Sequence, residues 1–320
     1  MNTRQKMAAL AVVGLGLSLT ACGTAEGDST YPSGAVELVI PWDAGGSSDL
    51  AARLFGSHLE DALGTTVTAM NIPGANGAQG WADLAASEPD GNTIGLITYD
   101  ILTNQAMDPS ATQLDELDFL MQFEEQPLAL YVHSEGDFQS VDEIVEADRQ
   151  VTFGTSGLGG VFHQGAGLLA QSVDREFSYV PFDGSGGQLT AMVGQHVDAI
   201  VISPTAPQQY VEDGTLLMLA VFADERSEAF PDVPTFQELG YDVPAHSSFR
   251  GIAAPKGLDD EVRTTLVEAL KETYDSPEFQ TKAEDLELQL TYLDSEEFTG
   301  QLNTMAPTVA ELLTNLGLTE

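Results

Sequence analysis

The sequence predicts an α/β protein with two lobes. Runs typical of β-strands alternate with runs typical of helices, and this alternation occurs in two cycles along the chain. The 320 residues are enough for two domains, and a hydrophobic fraction of 42% is enough for packed cores. A disordered chain is therefore excluded.

The first cycle begins with a strand-like run at Ala35–Trp42 and a helical pattern at Ser48–Gly64. Another strand pattern follows at Thr65–Pro73, then a small-residue helix at Ala75–Ser87 and a third strand at Thr93–Asp100. Strands separated by helices of this length indicate a mostly parallel sheet.

The second cycle begins near Leu128 with a further strand. Ser140, followed three residues later by Glu143, predicts a capping box at a helix start. The cycle continues with these segments: Val151–Val173 and Phe177–His196, each read as strand, glycine-rich turn and helix, and the strands at 197–203 and 216–223. After Arg250 an acid-started helix, Asp259–Ser276, opens a helical C-terminal part. We therefore predict lobe 1 at 35–130 and 251–320, and lobe 2 at 131–250.

The N-terminus predicts a lipoprotein signal peptide at 1–22. Arg4 and Lys6 precede the apolar run Met7–Leu19, which is too short for a comfortable transmembrane helix. The ending Leu-Thr-Ala-Cys resembles a lipobox, in which Cys22, the only cysteine, becomes the lipidated N-terminus. The alternative is an ordinary signal with an incidental cysteine. With a flexible tether at 23–34, the first interpretation predicts an extracytoplasmic protein anchored to the membrane.

The charge balance excludes one class of partner. Fifty acidic residues against eleven Lys and Arg give a formal net charge of -39, which cannot neutralise a row of nucleic-acid phosphates. We interpret the acidity as a solvated surface suited to high salt. Attraction of basic ligands or cations is the alternative, but no carboxylates stand at metal-ligand spacing, so no metal site is predicted.

Three glycine-rich turns each join a strand to a helix: "PWDAGGSSD" from Pro41, "FGTSGLGG" from Phe153 and "PFDGSGG" from Pro181. Ligands of open α/β sheets bind beyond the carboxyl ends of strands. Backbone N–H groups and the positive end of a helix dipole favour an anion there. A single such turn is often only structural, but three of them in two lobes favour a shared cleft.

Catalytic and cofactor sites are not indicated. The turns lack the lysine of a phosphate-binding loop, and Leu158 stands where a G-x-S-x-G nucleophile motif needs glycine. No acidic ribose partner completes a dinucleotide fingerprint. The histidines are dispersed, and we interpret them as helix-face or surface residues: His58, His133, His163, His196 and His246. We predict no enzyme activity and no cofactor.

Long stretches of the chain resemble a known family. "LVIPWDAGGSSDLAARL", "NIPGANGAQGWADLAASEPDGNTIGLIT", "FGTSGLGGVFHQGAGLL" and "VPFDGSGGQLTAMVGQHVDAI" are similar to the tripartite tricarboxylate transporter solute receptors, the Bug-type extracytoplasmic binding proteins. The likeness continues through "LAVFADERSEAFPDVPTFQELG" and "RGIAAPKGLDDEV" and covers about Val36 to Leu302.

The resemblance implies a two-lobed, periplasmic-binding-protein-like fold of type II. Such a protein closes like a clamshell on a small carboxylate, a di- or tricarboxylate or related organic acid, and passes it to integral-membrane transporter subunits. The loops would hold the carboxylate through backbone amides and bridging waters. The implied ligand-binding residues are Trp42, Ala44, Gly45 and Ser48 from lobe 1 and Thr155, Ser156 and Gly159 from lobe 2, with Gly184–Gly187 and Asp198 nearby. Asp49 would order its loop without meeting the ligand.

Arg250 lies where the chain returns between the lobes, so its guanidinium could clamp a second carboxylate. The alternative is a surface ion pair at the hinge. Hinges are expected near Leu128–Val132 and His246–Gly251. The chain is expected to be a monomer. Two other functions stay open: a ligand-loaded sensor for a two-component kinase, and an extracellular hydrolase using Ser156 or Ser185.

Overall fold

The computed structural model describes residues 31–227 and 229–319. The predicted signal peptide, Cys22 and residues 23–30 of the predicted tether lie outside the described residues. Among the helices that are described, none is both long and apolar enough to cross a bilayer.

Lobe 1 is built on a six-stranded sheet with the strand order β11-β4-β10-β3-β1-β2. Its strands are β1 (Val36–Ile40), β2 (Val67–Asn71), β3 (Thr93–Thr98), β4 (Leu117–Pro127), β10 (Ser247–Pro255) and β11 (Leu290–Leu293). β1 runs parallel to both β2 and β3. β10 is antiparallel to β3 and β4, and β11 is antiparallel to β4.

Lobe 2 is built on a five-stranded sheet with the order β7-β6-β8-β5-β9. Its strands are β5 (Ala129–His133), β6 (Thr152–Thr155), β7 (Ser178–Pro181), β8 (Ala199–Ile202) and β9 (Leu216–Val221). β6 runs parallel to β7 and β8, whereas β5 is antiparallel to β8 and β9.

Helices cover the sheets. They are α1 (Ser47–Leu63), α2 (Ala78–Ala86), α3 (Asp100–Met107), α4 (Val141–Glu146), α5 (Val161–Ser172), α6 (Ser185–Val193), α7 (Gln208–Glu212), α8 (Asp260–Asp275), α9 (Pro277–Asp285) and α10 (Ser295–Asn315). Short 3-10 turns lie at Ala75–Gly77 and Leu114–Glu116. Ser140 accepts the N–H of Glu143 at the start of α4, as predicted, but the Glu143 carboxylate accepts the N–H of Gln139 instead of Ser140. Only half of the predicted capping box forms.

The chain passes between the sheets after β4 and again between β9 and β10, and the two passages lie side by side. Leu128 N–H donates to the carbonyl of His246 at 3.0 Å, and Phe222 N–H donates to the carbonyl of Leu128 at 2.9 Å. The prediction of mostly parallel sheets is wrong at these strands. β4 leads out of lobe 1 and β10 leads back into it, so these neighbours run in opposite directions.

The core of lobe 1 packs around aromatic side chains. Phe55 of α1 stacks on Phe123 of β4 with ring centroids 4.7 Å apart, and Phe279 of α9 contacts Phe55 edge-on. Trp81 of α2 is buried and donates its indole N–H to the carbonyl of Leu96 at 2.9 Å. This packing fixes the carboxyl ends of β1 and β3, from which the site residues project.

Candidate ligand site between the lobes

The first glycine-rich loop, after β1, is ordered by Asp49. Asp49 is buried in the first turn of α1, and its carboxylate accepts the N–H of Gly45 at 2.9 Å. Arg53 and Asn71 donate to the other carboxylate oxygen, each at 2.8 Å. Asn71 also donates to the carbonyl of Trp42 at 3.0 Å. Asp49 therefore acts on the loop, as the sequence predicted, and its oxygens are occupied by the protein.

The same loop lies against the N-terminus of α6 in lobe 2. Asp43 accepts the N–H of Gly187 at 2.8 Å and that of Gly186 at 3.3 Å. Ser47 N–H donates to the Ser185 hydroxyl at 3.0 Å. A Cβ on Gly184 would lie 2.8 Å from the carboxyl carbon of Asp43, so this approach requires glycine. Burial raises the pKa of the Asp43 carboxyl, and the two amides oppose part of that rise.

A second contact of this kind joins the start of α3 in lobe 1 to the start of α5 in lobe 2. Asp100, at the start of α3, accepts the N–H of Val161, the first residue of α5, at 2.7 Å. Asn76 and the Thr98 hydroxyl donate to the same carboxylate at 3.4 and 3.5 Å. Asp100 is buried, and its burial raises the pKa of the carboxyl to about 6, against the lowering effect of the Val161 N–H. Carboxylates of lobe 1 thus cap the N-termini of two lobe 2 helices: Asp100 caps α5 and Asp43 caps α6.

A cluster of polar side chains connects the crossing strands to the loop after β8. This polar hinge cluster consists of Glu124, Gln126, Ser203, Thr205 and Arg250, all of them buried. The Arg250 guanidinium donates to Glu124 at 2.6 Å, and both side chains are 0% exposed. Gln126 donates to Glu124 and, at 3.0 Å, to the Thr205 hydroxyl.

Arg250 also reaches both lobes through longer contacts. Its Nε lies 3.3 Å from the Ser48 hydroxyl, and Nη2 lies 3.5 Å from the Ser203 hydroxyl. Burial raises the pKa of the Glu124 carboxyl, and the adjacent guanidinium opposes that rise. Arg250 is therefore held in a buried ion pair and not in a surface pair at the hinge.

The other predicted ligand residues lie around these contacts. Trp42 is buried edge-on against Trp81, with 6.2 Å between the ring centroids, and its indole N–H meets no acceptor in the described part of the chain. Ala44 and Gly45 are exposed, Ser48 is half-buried beside Arg250, and Thr155, Ser156, Gly159 and Gly184 are buried. Gly159 has a φ of 82° and donates its N–H to His163 Nδ1 at 2.8 Å.

Asp198 does not join this group. Thr155 ends β6 on the side of α5, whereas Asp198 precedes β8, which runs parallel to β6. Asp198 therefore lies at the opposite, amino end of the lobe 2 sheet. There it accepts two guanidinium nitrogens of Arg149, at 2.7 and 2.8 Å, and the N–H of Thr152 at 2.8 Å. Burial acts to raise the pKa of Asp198, but these donors outweigh it and lower the pKa. The expectation that Asp198 lies near the ligand loops is corrected by this strand direction.

Two histidines expected on a helix face or at the surface are buried near the site. His163 accepts the Gly159 N–H, and His246 lies 3.2 Å from the carbonyl of Val161. Burial lowers the pKa of both imidazoles to about 4, which keeps them neutral at pH 7. Within residues 31–227 and 229–319, no three Asp, Glu, His or Cys side chains gather closely enough to hold a metal ion.

Sequence reasoning missed four residues of the interface: Asp43, Asp100, Glu124 and Gln126. A signal was present for each. Asp43 lies inside a glycine-rich turn, and Asp100 ends the apolar strand predicted at Thr93–Asp100. Glu124 and Gln126 alternate with other residues in "QFEEQP", at the spacing that places side chains on one face of a strand. Only tertiary burial shows that these polar groups meet another lobe instead of water.

Comparison with known proteins agrees with this architecture. Residues 51–318 match the model of the tripartite tricarboxylate transporter family receptor. BugT of Bordetella pertussis is 28% identical over 275 residues, which cover 83% of this chain and 84% of that protein. The structure of the periplasmic binding protein BugD superposes with a TM-score of 0.86 at 24% identity and covers 90% of this chain and 99% of BugD.

A second similar structure is that of MatC from Rhodopseudomonas palustris with bound malate. Its TM-score is 0.83 at 22% identity, over 88% of this chain and 100% of MatC. The solved structures establish the two-lobed periplasmic-binding-protein fold, and the family model spans most of the sequence. The chain therefore belongs to the tripartite tricarboxylate transporter receptor family.

Proposed function

We propose that the protein is an extracytoplasmic solute receptor that closes its two lobes on a small carboxylate and delivers it to a tripartite tricarboxylate-type membrane transporter. The observation that carries the proposal is the contact of the glycine-rich turn after β1 in lobe 1 with the N-terminus of α6 in lobe 2, which brings two strand-to-helix turns together between the lobes. Turns of this kind present backbone N–H groups to an anion, and a ligand carboxylate would bind those N–H groups that Asp43 and Asp100 do not already occupy. Membership of the receptor family and the malate-bound structure of MatC support it.

In this proposal the ligand lies between the two facing loops. Trp42, Ala44, Gly45 and Ser48 contribute from lobe 1, and Thr155, Ser156, Gly159 and Gly184 contribute from lobe 2. Arg250 is the cationic candidate, because Nε and Nη2 make only long contacts to Ser48 and Ser203. Cys22 would carry the lipid that holds the monomeric receptor at the membrane.

The test is a thermal-shift and small-angle scattering screen of the full-length protein against mono-, di- and tricarboxylates. A ligand should raise Tm and reduce the radius of gyration, because it binds only the folded protein and bridges both lobes. Sodium chloride at the same ionic strength as each carboxylate is the control. If no carboxylate changes either quantity, the receptor proposal is wrong.

A matched pair of variants locates the site. Ser48→Ala removes a hydroxyl beside Arg250 and should weaken binding several-fold. Ser57→Ala removes an exposed hydroxyl of the same helix, which bonds only the carbonyl of Leu54 and the neighbouring His58, and should leave Kd unchanged. If Ser48→Ala and Ser57→Ala change Kd equally, the assignment of the ligand to the loop after β1 is wrong.

A further inference from the structure

The polar hinge cluster contains two buried acceptor atoms that have no hydrogen-bond partner among the residues the structure describes. Glu124 Oε1 is occupied by Arg250 and Gln126, but within the described chain no donor reaches Glu124 Oε2 or Gln126 Oε1. Both side chains are at least 99% buried. A buried acceptor that stays unpaired costs about 1–3 kcal/mol, so such atoms normally bind a water or a ligand donor.

The cluster also has unused donor capacity on the other side of the ion pair. Arg250 carries five N–H groups, and only the contact of Nη1 with Glu124 is short. The contacts to Ser48 and Ser203, at 3.3 and 3.5 Å, are long for hydrogen bonds. The ion pair is thus incompletely satisfied at both its positive and its negative end.

The charges around the interface disfavour a second carboxylate on the ligand. The N-termini of α5 and α6, which are good positions for an anion, are already occupied by Asp100 and Asp43. Glu124 neutralises Arg250, the one cation of the polar hinge cluster. A dicarboxylate would add two negative charges to an interface that already holds Asp43 and Asp100 and has no net positive charge in the polar hinge cluster, and like charges at short range repel strongly where water is excluded.

These observations fit a ligand with one charge of each sign. We infer that the preferred ligand is a small carboxylate that also bears an ammonium group, with the ammonium donating to Glu124 Oε2 and Gln126 Oε1. Its carboxylate meets Arg250 and the amides of the facing loops. This inference rests on the proposed receptor function and narrows it to amino-carboxylates.

The test compares matched acids that differ only in one substituent. Three series are suitable: alanine, lactate and propanoate; aspartate, malate and succinate; and 4-aminobutanoate, 4-hydroxybutanoate and butanoate. Kd is measured for the full-length protein by calorimetry at pH 7.5. In at least one series the amine should bind about 10- to 100-fold more tightly than the unsubstituted acid, the range for a hydrogen bond between charged groups.

The hydroxy acids separate an effect of charge from simple hydrogen bonding. Their affinities should lie between those of the amino acids and those of the unsubstituted acids of the same series. If unsubstituted or hydroxy acids bind as tightly as the amines in every series that binds, the two acceptors are served by water and the inference is wrong. If no compound of any series binds and the carboxylate screen is also negative, the receptor proposal itself fails.

A neighbouring pair of carboxylates supplies the matched variants. Glu124→Gln removes the charge while keeping the shape, and it should bring the amine-to-unsubstituted ratio of affinities close to one. Glu125→Gln changes the next residue of the strand, whose carboxylate accepts the Ser247 hydroxyl at 2.7 Å, and it should leave the ratio unchanged. An unchanged ratio in Glu124→Gln contradicts the assignment.

Gln126→Met provides a second variant if loss of the buried ion pair prevents folding. It removes the unpaired acceptor and the donations to Glu124 and Thr205 but leaves every charge in place, and it should lower the same ratio a few-fold. Circular dichroism and Tm of each variant report folding independently of binding. A folded Gln126→Met protein with the wild-type ratio would also count against the inference.

Discussion

Asp100 and Asp43 solve the same structural problem in different surroundings. Each leaves lobe 1 at the carboxyl end of a strand and caps a lobe 2 helix that begins after a glycine. Asp100 accepts one amide within the buried interface, whereas half-buried Asp43 accepts two. Burial raises the pKa of Asp100 to about 6, although it is hydrogen-bonded. The comparison shows that desolvation, more than the number of amide donors, determines how far the pKa of such a capping carboxyl departs from its ordinary value.

The largest expected effect is a pH dependence at Asp100. Its pKa of about 6 in the folded protein lies above the ordinary 3.8, so its contribution to stability is complete below about pH 4 and is lost as pH rises through 6. The difference corresponds to about 3 kcal/mol. In Asp100→Asn the amide oxygen still accepts the Val161 N–H, and the NH₂ group can donate to Thr98. The stability of the variant relative to wild type should therefore increase by about 3 kcal/mol between pH 4 and 7.5.

Urea unfolding at the two pH values measures this change. Other acidic residues titrate in both proteins and cancel in the difference. If the difference in free energy of unfolding between variant and wild type does not vary with pH, the Asp100 carboxyl is not desolvated in solution.

A smaller effect on stability is expected from alanine substitutions of two glycines at the starts of α5 and α6. A Cβ on Gly160, the residue before α5, would lie 2.7 Å from Asn76 Oδ1 and 3.0 Å from Asp100 Oδ1. Gly160→Ala should therefore destabilise the protein by about 1–3 kcal/mol. In α6, a Cβ on Gly187 would be 3.4 Å or more from its neighbours, and Gly187→Ala should be neutral or stabilising by up to about 1 kcal/mol. Denaturant midpoints of the pair give the comparison. Similar losses in both variants would show that the two interfaces are equally tight.

The smallest effect is expected from removing one acceptor oxygen at Asp43. Asp43→Asn leaves one amide facing an NH₂ group, so stability should fall by about 1 kcal/mol, with less pH dependence than at Asp100.

Asp198→Asn is the matched control, because Asp198 also accepts a backbone N–H but lies at the far end of its sheet. The Asp198 variant should leave the Kd of an identified ligand unchanged. A loss of affinity there would contradict the placement of the site.

The sequence predicted the elements better than their connections. Apolar runs and glycine-rich turns located β1, β3, β6 and β7, together with the helices α1, α5 and α6, because these signals are local. The long strand Leu117–Pro127 was missed, since its buried polar residues interrupt the apolar pattern. Its antiparallel pairing with β10 depends on two passages of the chain that are more than one hundred residues apart.

The site could be predicted in part for the same reason. The turns themselves were recognisable, and the role of Asp49 in ordering its loop follows from its place in the first helical turn. Asp198 was misplaced because adjacency to a strand does not reveal at which end of the sheet a residue lies. The partner of Arg250 was not foreseen, because 126 positions separate it from Glu124.

The capping of α5 and α6 from the opposite lobe has a consequence for measurement. Neither helix has a side-chain cap from its own preceding residue, so the Val161 and Gly187 amides are protected by another lobe. If the lobes separate as proposed, these two hydrogens would exchange with deuterium whenever the lobes are apart, at a rate that follows the population of the separated state when closing is fast, while amides deeper in the same helices would exchange only when the helix unfolds. Deuterium exchange of the first-turn amides of α5 and α6 would therefore report the opening of the receptor without any added label.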